Sequence, residues 1–232
     1  MSVEDVLMIF AKYPEPGRVK TRLAKTLGDD TAVQLYRLMA ADIIRRLKGC
    51  RHYKTVIFFD PPHRASGIKD WLGTDLCYIK QSGQDLGERL SNAFRVVLRS
   101  GAGRAVVIGT DCLGITQDTI SKTLQYLAEK DVVIGPAEDG GYYLLGLSQY
   151  IPELFISIDW STDKVFHQTI DEVKRLGLSF AILKPLKDLD DSSDLHPALY
   201  YLLKQRGQGE KPLRGISAPD WANGYTPEIF EL

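Results

Sequence analysis

Apolar residues in this chain occur in short runs that alternate with longer amphipathic segments, from the N-terminus to about residue 206. Short apolar runs bounded by turn residues are typical of buried strands. They predict strands over Val6–Phe10, Lys54–Phe59, Leu76–Lys80, Arg104–Gly109, Val132–Gly135, Tyr142–Leu147 and Phe180–Leu183. Apolar positions with helical spacing predict helices over Thr31–Lys48, Ile68–Leu72 and Leu86–Arg99, from Thr116 to Lys130, from Ser161 to about Leu176, and from Ser192 or Ser193 to about Arg206.

This alternation predicts the fold class. Strands joined by helical crossovers form a mostly parallel sheet that is covered on both faces. We therefore expect an α/β fold of three layers, α/β/α, around a mixed, mostly parallel sheet, in a single domain over residues 1–206. Residues 207–232 lose this periodicity and are predicted to be an irregular tail. Its Trp221, Tyr225 and Phe230 suggest docking on the surface or against a second copy in a homodimer.

The composition limits the classes of function. The chain has 232 residues, of which 44% are hydrophobic and 25% charged, as in ordinary globular proteins. Its formal net charge of −1 gives no reason to expect a nucleic acid or a membrane as partner. The cysteines Cys50, Cys77 and Cys112 lie far apart, which argues against disulfides and a structural zinc site. With no leader-like N-terminus, these features favour a cytoplasmic location.

A basic segment follows the first predicted strand. From residue 12 to residue 25 the chain carries five cations and one acid. Arg18, Lys20 and Arg22 alternate, so they would project to one side of an extended segment and bind phosphate there. A solvated basic loop would have the same composition. The position directly after a strand favours a site that also includes Lys12, because ligands of open α/β sheets bind outside the carboxyl ends of the strands.

Two aspartates that follow strands are candidate metal ligands. Asp111 comes directly after the fourth predicted strand, where a carboxylate would hold Mg²⁺ or Mn²⁺ together with substrate phosphates. An aspartate at such a place is also a common turn residue. After the last predicted strand, Asp191 or Ser192 would cap the final helix, which leaves Asp190 as a candidate second metal ligand.

A turn with two acids and two glycines separates the fifth and sixth predicted strands. Glu138 or Asp139 would orient an acceptor hydroxyl or act as a base. Gly140, Gly141 and Tyr142 follow directly and would line the acceptor or sugar site. The same residues make a good hairpin turn, and the two interpretations are compatible.

Taken together, several motifs resemble the DUF2064 family, whose members are described as glycosyltransferase-like or as nucleotide-diphospho-sugar transferases. The resemblance covers roughly residues 3–205. The segments that carry it are Ala11-Lys12 with Pro16-Gly17-Arg18-Val19-Lys20-Thr21-Arg22-Leu23, Gln81-Ser82-Gly83-Gln84-Asp85-Leu86-Gly87-Glu88-Arg89, Gly109-Thr110-Asp111-Cys112 and Glu138-Asp139-Gly140-Gly141-Tyr142-Tyr143. The chain departs from the family pattern at Leu113, where proline is usual.

The resemblance implies a GT-A type, Rossmann-like nucleotide-diphospho-sugar transferase fold. It also implies that Gln81 contacts the nucleotide, and that Asp111 and Asp190 stand where metal-binding aspartates stand. We therefore expect a metal-dependent transferase that uses a nucleotide-diphospho-sugar donor. The alternatives are a nucleotidyltransferase of the guanylyltransferase kind, which releases pyrophosphate, and a non-catalytic nucleotide-binding domain. The first loop lacks the glycine-rich form of true nucleotidyltransferases, which argues against pyrophosphate release.

Overall fold

A computed structural model of the chain describes residues 4–190. The predicted final helix, which begins at Ser192 or Ser193, and the predicted tail over 207–232 lie outside the described residues. Contacts along the backbone group the described residues into two units. The larger unit comprises residues 4–13 and 40–188, and the smaller comprises residues 14–39 and 189–190.

The larger unit is built on a mixed sheet of seven strands in the order β3-β2-β1-β4-β6-β5-β7. The strands are β1 Val6–Lys12, β2 Lys54–Asp60, β3 Cys77–Lys80, β4 Ala105–Ile108, β5 Val132–Pro136, β6 Tyr142–Leu147 and β7 Phe180–Ile182. Strand β1 runs parallel to β2 and β4, β2 is parallel to β3, and β5 is parallel to β7. Only β6 runs antiparallel to both of its neighbours within this sheet. The predicted mostly parallel α/β sheet is therefore confirmed.

Six α-helices accompany these strands in the described part of the chain. They are α1 Thr21–Leu27, α2 Asp29–Leu47, α3 Ala65–Leu72, α4 Leu86–Arg99, α5 Gln117–Tyr126 and α6 Val165–Arg175. Two short 3₁₀ turns cover Pro62–Arg64 and Pro152–Phe155. No helix of the described residues is both long and apolar enough to span a bilayer.

Helices cover both faces of the sheet. Because side chains alternate along a strand, Leu7 and Ile9 of β1 face one core while Met8 faces the other. The first core packs against residues of α2, α3 and α5. The second core packs against α4, through residues such as Phe94, and against α6. Burial on both faces explains why the strands read as continuous apolar runs.

An ion pair joins β1 and β4 at their amino ends. Arg104, directly before β4, donates from Nε and Nη2 to the two carboxylate oxygens of Asp5, at 2.9 Å and 2.7 Å. Its Nη1 also donates to the carbonyl oxygen of Leu124 in α5, at 2.7 Å. This bidentate pair joins the start of β1 to the start of β4, at the end away from the predicted site.

Two helix starts differ from the sequence analysis. The chain turns helical at Thr21, in a segment interpreted from its sequence as a basic loop with Arg18, Lys20 and Arg22 on one side if extended. Helix α6 begins at Val165 rather than Ser161, whose backbone is left-handed with φ of 65°. Thr116, in contrast, caps α5 as predicted, with reciprocal hydrogen bonds between Thr116 and Thr119 that form a capping box.

The start of α4 is fixed by a close contact with an aromatic side chain. Gly87 lies in the first turn of α4, and a Cβ atom there would overlap the Trp160 indole nitrogen. The indole also stacks on Phe155 and meets Tyr142 edge-on, with ring centroids 6.5 Å and 6.4 Å away. A glycine in this helix is therefore a packing requirement, since alanine is otherwise the better helix former.

We expect Gly87→Ala to lower the free energy of unfolding by about 1–3 kcal/mol, because the added methyl group forces the Trp160 ring to move. Urea unfolding of the parent and the variant measures the change. Gly109→Ala is the matched control, since a Cβ there would approach Asp111 Oδ2 only to 4.0 Å. Equal losses in both variants would contradict the packing argument.

Candidate functional site

The parallel strands bring several predicted residues to one edge of the sheet. Lys12 and Asp60 are partners in the register of β1 and β2, and each is the last residue of its strand. Gln81 follows the last residue of β3, and the register pairs Ile9 of β1 with Ile108, the last residue of β4. Asp111 follows β4 by three residues. Lys12, Gln81 and Asp111 therefore belong to the same edge, which the sequence predicted for Lys12 and Asp111.

The turn between β5 and β6 belongs to this edge as well. Because β6 is antiparallel to both β4 and β5, the end of β5 and the start of β6 lie at the end of the sheet where β4 finishes. The turn packs against the segment that follows β7: Glu138 N donates to Leu186 O at 3.2 Å, and Ala137 forms a bridge with Leu186. The acidic turn is thus held in place by backbone hydrogen bonds.

Within this turn the two acids have different surroundings. Asp139 Oδ1 accepts a hydrogen bond from Gly141 N at 2.9 Å, so this carboxylate closes its own turn. Glu138 and Asp139 are both exposed, so the two acids differ in this hydrogen bond and not in their exposure. Gly140 has φ of +91°, and a Cβ there would overlap the carbonyl oxygen of Asp163. Glycine is therefore required at this position for two independent reasons.

Tyr142 begins β6 directly after the turn. Its hydroxyl is buried and has no hydrogen-bond partner among the described residues. Burial raises the pKa of this tyrosine well above its ordinary value, so the hydroxyl stays protonated and can act as a donor. Buried polar groups are normally hydrogen-bonded, so this hydroxyl is an exception. The predicted role of Tyr142 in an acceptor or sugar site stays a prediction.

The structure reveals a polar network that sequence reasoning missed. Arg89 of α4 donates from Nε to Gly83 O at 3.2 Å, and its Nη1 lies 3.5 Å from Gln81 Oε1 and 3.6 Å from Asp60 Oδ2. Gln81 Nε2 in turn donates to Phe58 O at 2.9 Å. Asp60 and Arg89 thus surround the predicted nucleotide contact. The only sequence signal was their position, Asp60 at a strand end and Arg89 within the Gln81–Arg89 motif.

The loop that carries Asp111 is ordered by buried neighbours. Thr110 and Cys112, on either side of Asp111, are buried, and so is Ile115. Burial raises the pKa of the Cys112 thiol to about 11, and the nearby carboxylates of Asp188 and Asp111 act in the same direction. The thiol is therefore protonated and unreactive near neutral pH. The loop presents a carboxylate, not a nucleophilic sulfur.

The smaller unit contains the rest of the predicted basic residues. Lys20 has a left-handed backbone with φ of 48° at the start of α1, and its side chain is only 3% exposed. Its ammonium group donates to Leu189 O and, at 3.1 Å, to Asp190 Oδ1. Lys20 therefore fastens the 189–190 segment within this unit. The Lys20 ammonium group thus contacts protein oxygens here. Its predicted contact with a phosphate stays a prediction.

The two arginines of this segment are more exposed. The side chain of Arg18 is 56% exposed and pairs loosely with Glu15, with Nε and Oε2 3.8 Å apart. The side chain of Arg22 is 72% exposed, and its Nη1 lies 3.7 Å from Asp190 Oδ2. Such solvated pairs are weak, so both guanidinium groups can turn to another anion at little cost.

The donor set for a divalent cation is small. Among residues 4–190, no three His, Cys, Asp or Glu side chains are arranged to hold a metal ion. Asp190 already faces two cations, Lys20 and Arg22, which compete with a metal for its oxygens. Asp111 alone could suffice, since Mg²⁺ and Mn²⁺ often take one carboxylate together with substrate phosphates and water. A metal held through Asp111, with Asp190 as second ligand, stays a prediction.

Comparison with known proteins identifies a family and a solved structure that are similar to this chain. The profile of a family described as "Uncharacterized protein conserved in bacteria (DUF2064)" matches residues 43–162. The crystal structure of a candidate nucleotide-diphospho-sugar transferase from Desulfovibrio desulfuricans G20 is 33% identical, with a TM-score of 0.80 over 90% of each chain. No curated protein sequence matches the chain.

More distant solved structures share the fold. CMP:2-keto-3-deoxy-manno-octonic acid synthetase complexed with CTP has a TM-score of 0.55 at 11% identity, over 89% of this chain and 99% of that one. The 4-diphosphocytidyl-2C-methyl-D-erythritol synthase of Anaerococcus prevotii DSM 20548 has a TM-score of 0.55 at 12% identity, over 86% and 98%. The predicted nucleotide-diphospho-sugar transferase fold is thereby confirmed.

We expect the rate of Cys112 alkylation to keep rising with pH at values above the ordinary pKa of a cysteine. In a Cys50→Ser, Cys77→Ser background, the rate with iodoacetamide should rise about tenfold per pH unit between pH 8 and pH 10, since only the thiolate reacts. The pKa of about 11, against an ordinary value of 9.0, places the plateau above this range. A plateau at or below pH 9 would show that the thiol is not shielded.

Proposed function

Because this chain belongs to the DUF2064 family, we propose that it is a metal-dependent transferase whose donor is a nucleotide-diphospho-sugar. The observation that supports this most directly is the shared sheet edge of Lys12, Gln81 and Asp111. A cation, a carboxamide and a carboxylate at the carboxyl ends of β1, β3 and β4 match the chemistry of a nucleoside diphosphate and its divalent cation. The relative from Desulfovibrio desulfuricans G20, described as a candidate sugar transferase, supports the same substrate class.

In this proposal each part of the edge has its own task. Lys12 would neutralise charge on the diphosphate as the sugar leaves. Gln81, held by Phe58 O, would contact the nucleotide. Asp111 would hold Mg²⁺ or Mn²⁺, and the bound ion would supply Lewis-acid charge at the phosphates.

The acidic turn would handle the acceptor. Glu138 and Asp139 are both exposed at the turn, but one oxygen of Asp139 accepts from Gly141 N, so Glu138 is better placed to take a proton from an incoming hydroxyl. Asp139 would then hold the turn in shape and keep one oxygen for the acceptor. The Tyr142 hydroxyl, buried and protonated, would donate to the sugar or the acceptor.

A nucleotidyltransferase is the second candidate, because the same cations and the same Asp111 would serve a nucleoside triphosphate that loses pyrophosphate. The cytidylyltransferase-type structures share only the fold with this chain. Nucleotide-diphospho-sugar transfer is preferred because the much closer relative is described in those terms.

We expect Asp111→Asn to weaken nucleoside diphosphate binding in Mn²⁺ by at least about tenfold, since loss of a residue that only supports a ligand already costs that much. Affinity in EDTA should not change. Calorimetric titration with UDP, GDP, ADP and CDP measures both values. Asp118→Asn is the matched control, because it removes the same charge from an exposed position on α5 that pairs with Lys122. Equal Mn²⁺-dependent affinity in parent and Asp111→Asn would overturn the metal assignment.

We expect UDP-, GDP-, ADP- or CDP-sugars, but not the free triphosphates, to be turned over by the parent protein. Release of nucleoside diphosphate from a sugar donor supports the proposal, and release of pyrophosphate from a triphosphate supports nucleotidyl transfer instead. Thermal stabilisation by a nucleotide without turnover of any donor would point to a non-catalytic binding domain.

A further inference from the structure

The loop between β4 and α5 is held from outside by one side chain of α2. Arg46 Nη1 donates to Ile115 O at 2.7 Å, and its Nη2 donates to Leu113 O at 3.0 Å. In return, Gln117 Nε2 donates to the carbonyl oxygen of Arg46 at 2.8 Å. One guanidinium group thus bridges two carbonyls of the loop just after Asp111, which lies two residues before Leu113.

The guanidinium is itself fixed in direction. Asp42, one helical turn earlier, accepts from Arg46 Nε at 2.8 Å, so three nitrogens of the side chain are engaged. Asp42 also accepts from Arg45 Nη2 at 2.6 Å, a bond that lies within α2 and does not involve the loop. Charge-assisted bonds from a rigid fork fix position as well as energy, because they restrict angle and distance together.

The contact matters because this loop bears the predicted metal ligand. Burial of Cys112 and Ile115 fixes the loop on the side of the core, and the Thr116 cap fixes its junction with α5. The backbone of Gly114 and Ile115 also hydrogen-bonds to Cys112, and Arg46 adds the bonds to the carbonyls of Leu113 and Ile115. Groups that orient the ligands of a metal usually change its affinity 10- to 100-fold.

We infer that Arg46, oriented by Asp42, is a positioning residue that holds the Asp111 loop in its ligand-binding conformation. The role of the loop in binding a metal–nucleotide complex rests on the proposed function. The restraint on the loop itself rests only on the hydrogen bonds of Arg46. The two parts are therefore tested by separate measurements.

The first measurement uses Cys112 as a reporter of loop opening. In the Cys50→Ser, Cys77→Ser background, Arg46→Ala should raise the rate of alkylation of the buried Cys112 by about tenfold or more at one fixed pH. Arg45→Ala, which removes a neighbouring charge and a bond to the same Asp42, should leave the rate unchanged. If the parent and Arg46→Ala react at the same rate, or if Arg45→Ala is accelerated as much as Arg46→Ala, Arg46 does not restrain the loop.

The second measurement separates positioning from general stability. Arg46→Ala should lose about tenfold or more of the affinity for nucleoside diphosphate in Mn²⁺ and keep its affinity in EDTA. Arg46→Lys keeps the charge and one donor group, so its affinity in Mn²⁺ should lie between those of the parent and Arg46→Ala. It replaces Arg46→Ala in the test if that variant does not fold. Unchanged affinity in Mn²⁺ for a folded variant contradicts the positioning role. If the parent binds no nucleotide, the proposed function fails, while the alkylation rates still decide the restraint.

Discussion

The parallel hydrogen-bond ladder from β3 through β2 and β1 to β4 is the constraint on which the rest of the larger unit depends. A parallel ladder makes every one of these strands end at the same edge, so residues far apart in sequence meet there. It also requires crossovers that pass over the faces of the sheet, which is why helices bury both sides. Lys12, Asp60, Gln81 and Asp111 thus share an edge because of backbone pairing, before any side chain contributes.

The strands and the long helices were predictable because burial leaves a direct mark on the sequence. The segment Val6–Phe10 is apolar throughout because both faces of β1 are covered. The α4 segment shows a helical period because only one side of it is buried. Helix α1 was missed because its seven residues include only one that is buried, Leu23, so its pattern resembles that of a basic loop.

The contacts that shape the candidate site were not predictable in the same way. Arg46 is an ordinary charged position on a helix in the sequence, and its carbonyl partners lie 67 and 69 residues away. Lys20 is separated by 170 residues from Asp190. Local patterns carry the burial of a residue but not the identity of a distant partner. The sequence therefore predicts which segments reach the edge more reliably than it predicts how each charge is used there.

The use of charge distinguishes residues that shape the site from residues that can meet a ligand. Arg46 and Lys20 spend their donors on carbonyls and carboxylates of the protein, whereas Arg18 and Arg22 are solvated and only weakly paired. The reversed direction of β6 adds the acidic turn to the same edge as Asp111. In the strand order, Gln81 after β3 and Glu138 after β5 lie on opposite sides of β4. Under the proposed function, a donor bound at Asp111 would thus have Gln81 on one side and Glu138 and Tyr142 on the other, which matches the proposed nucleotide and acceptor ends.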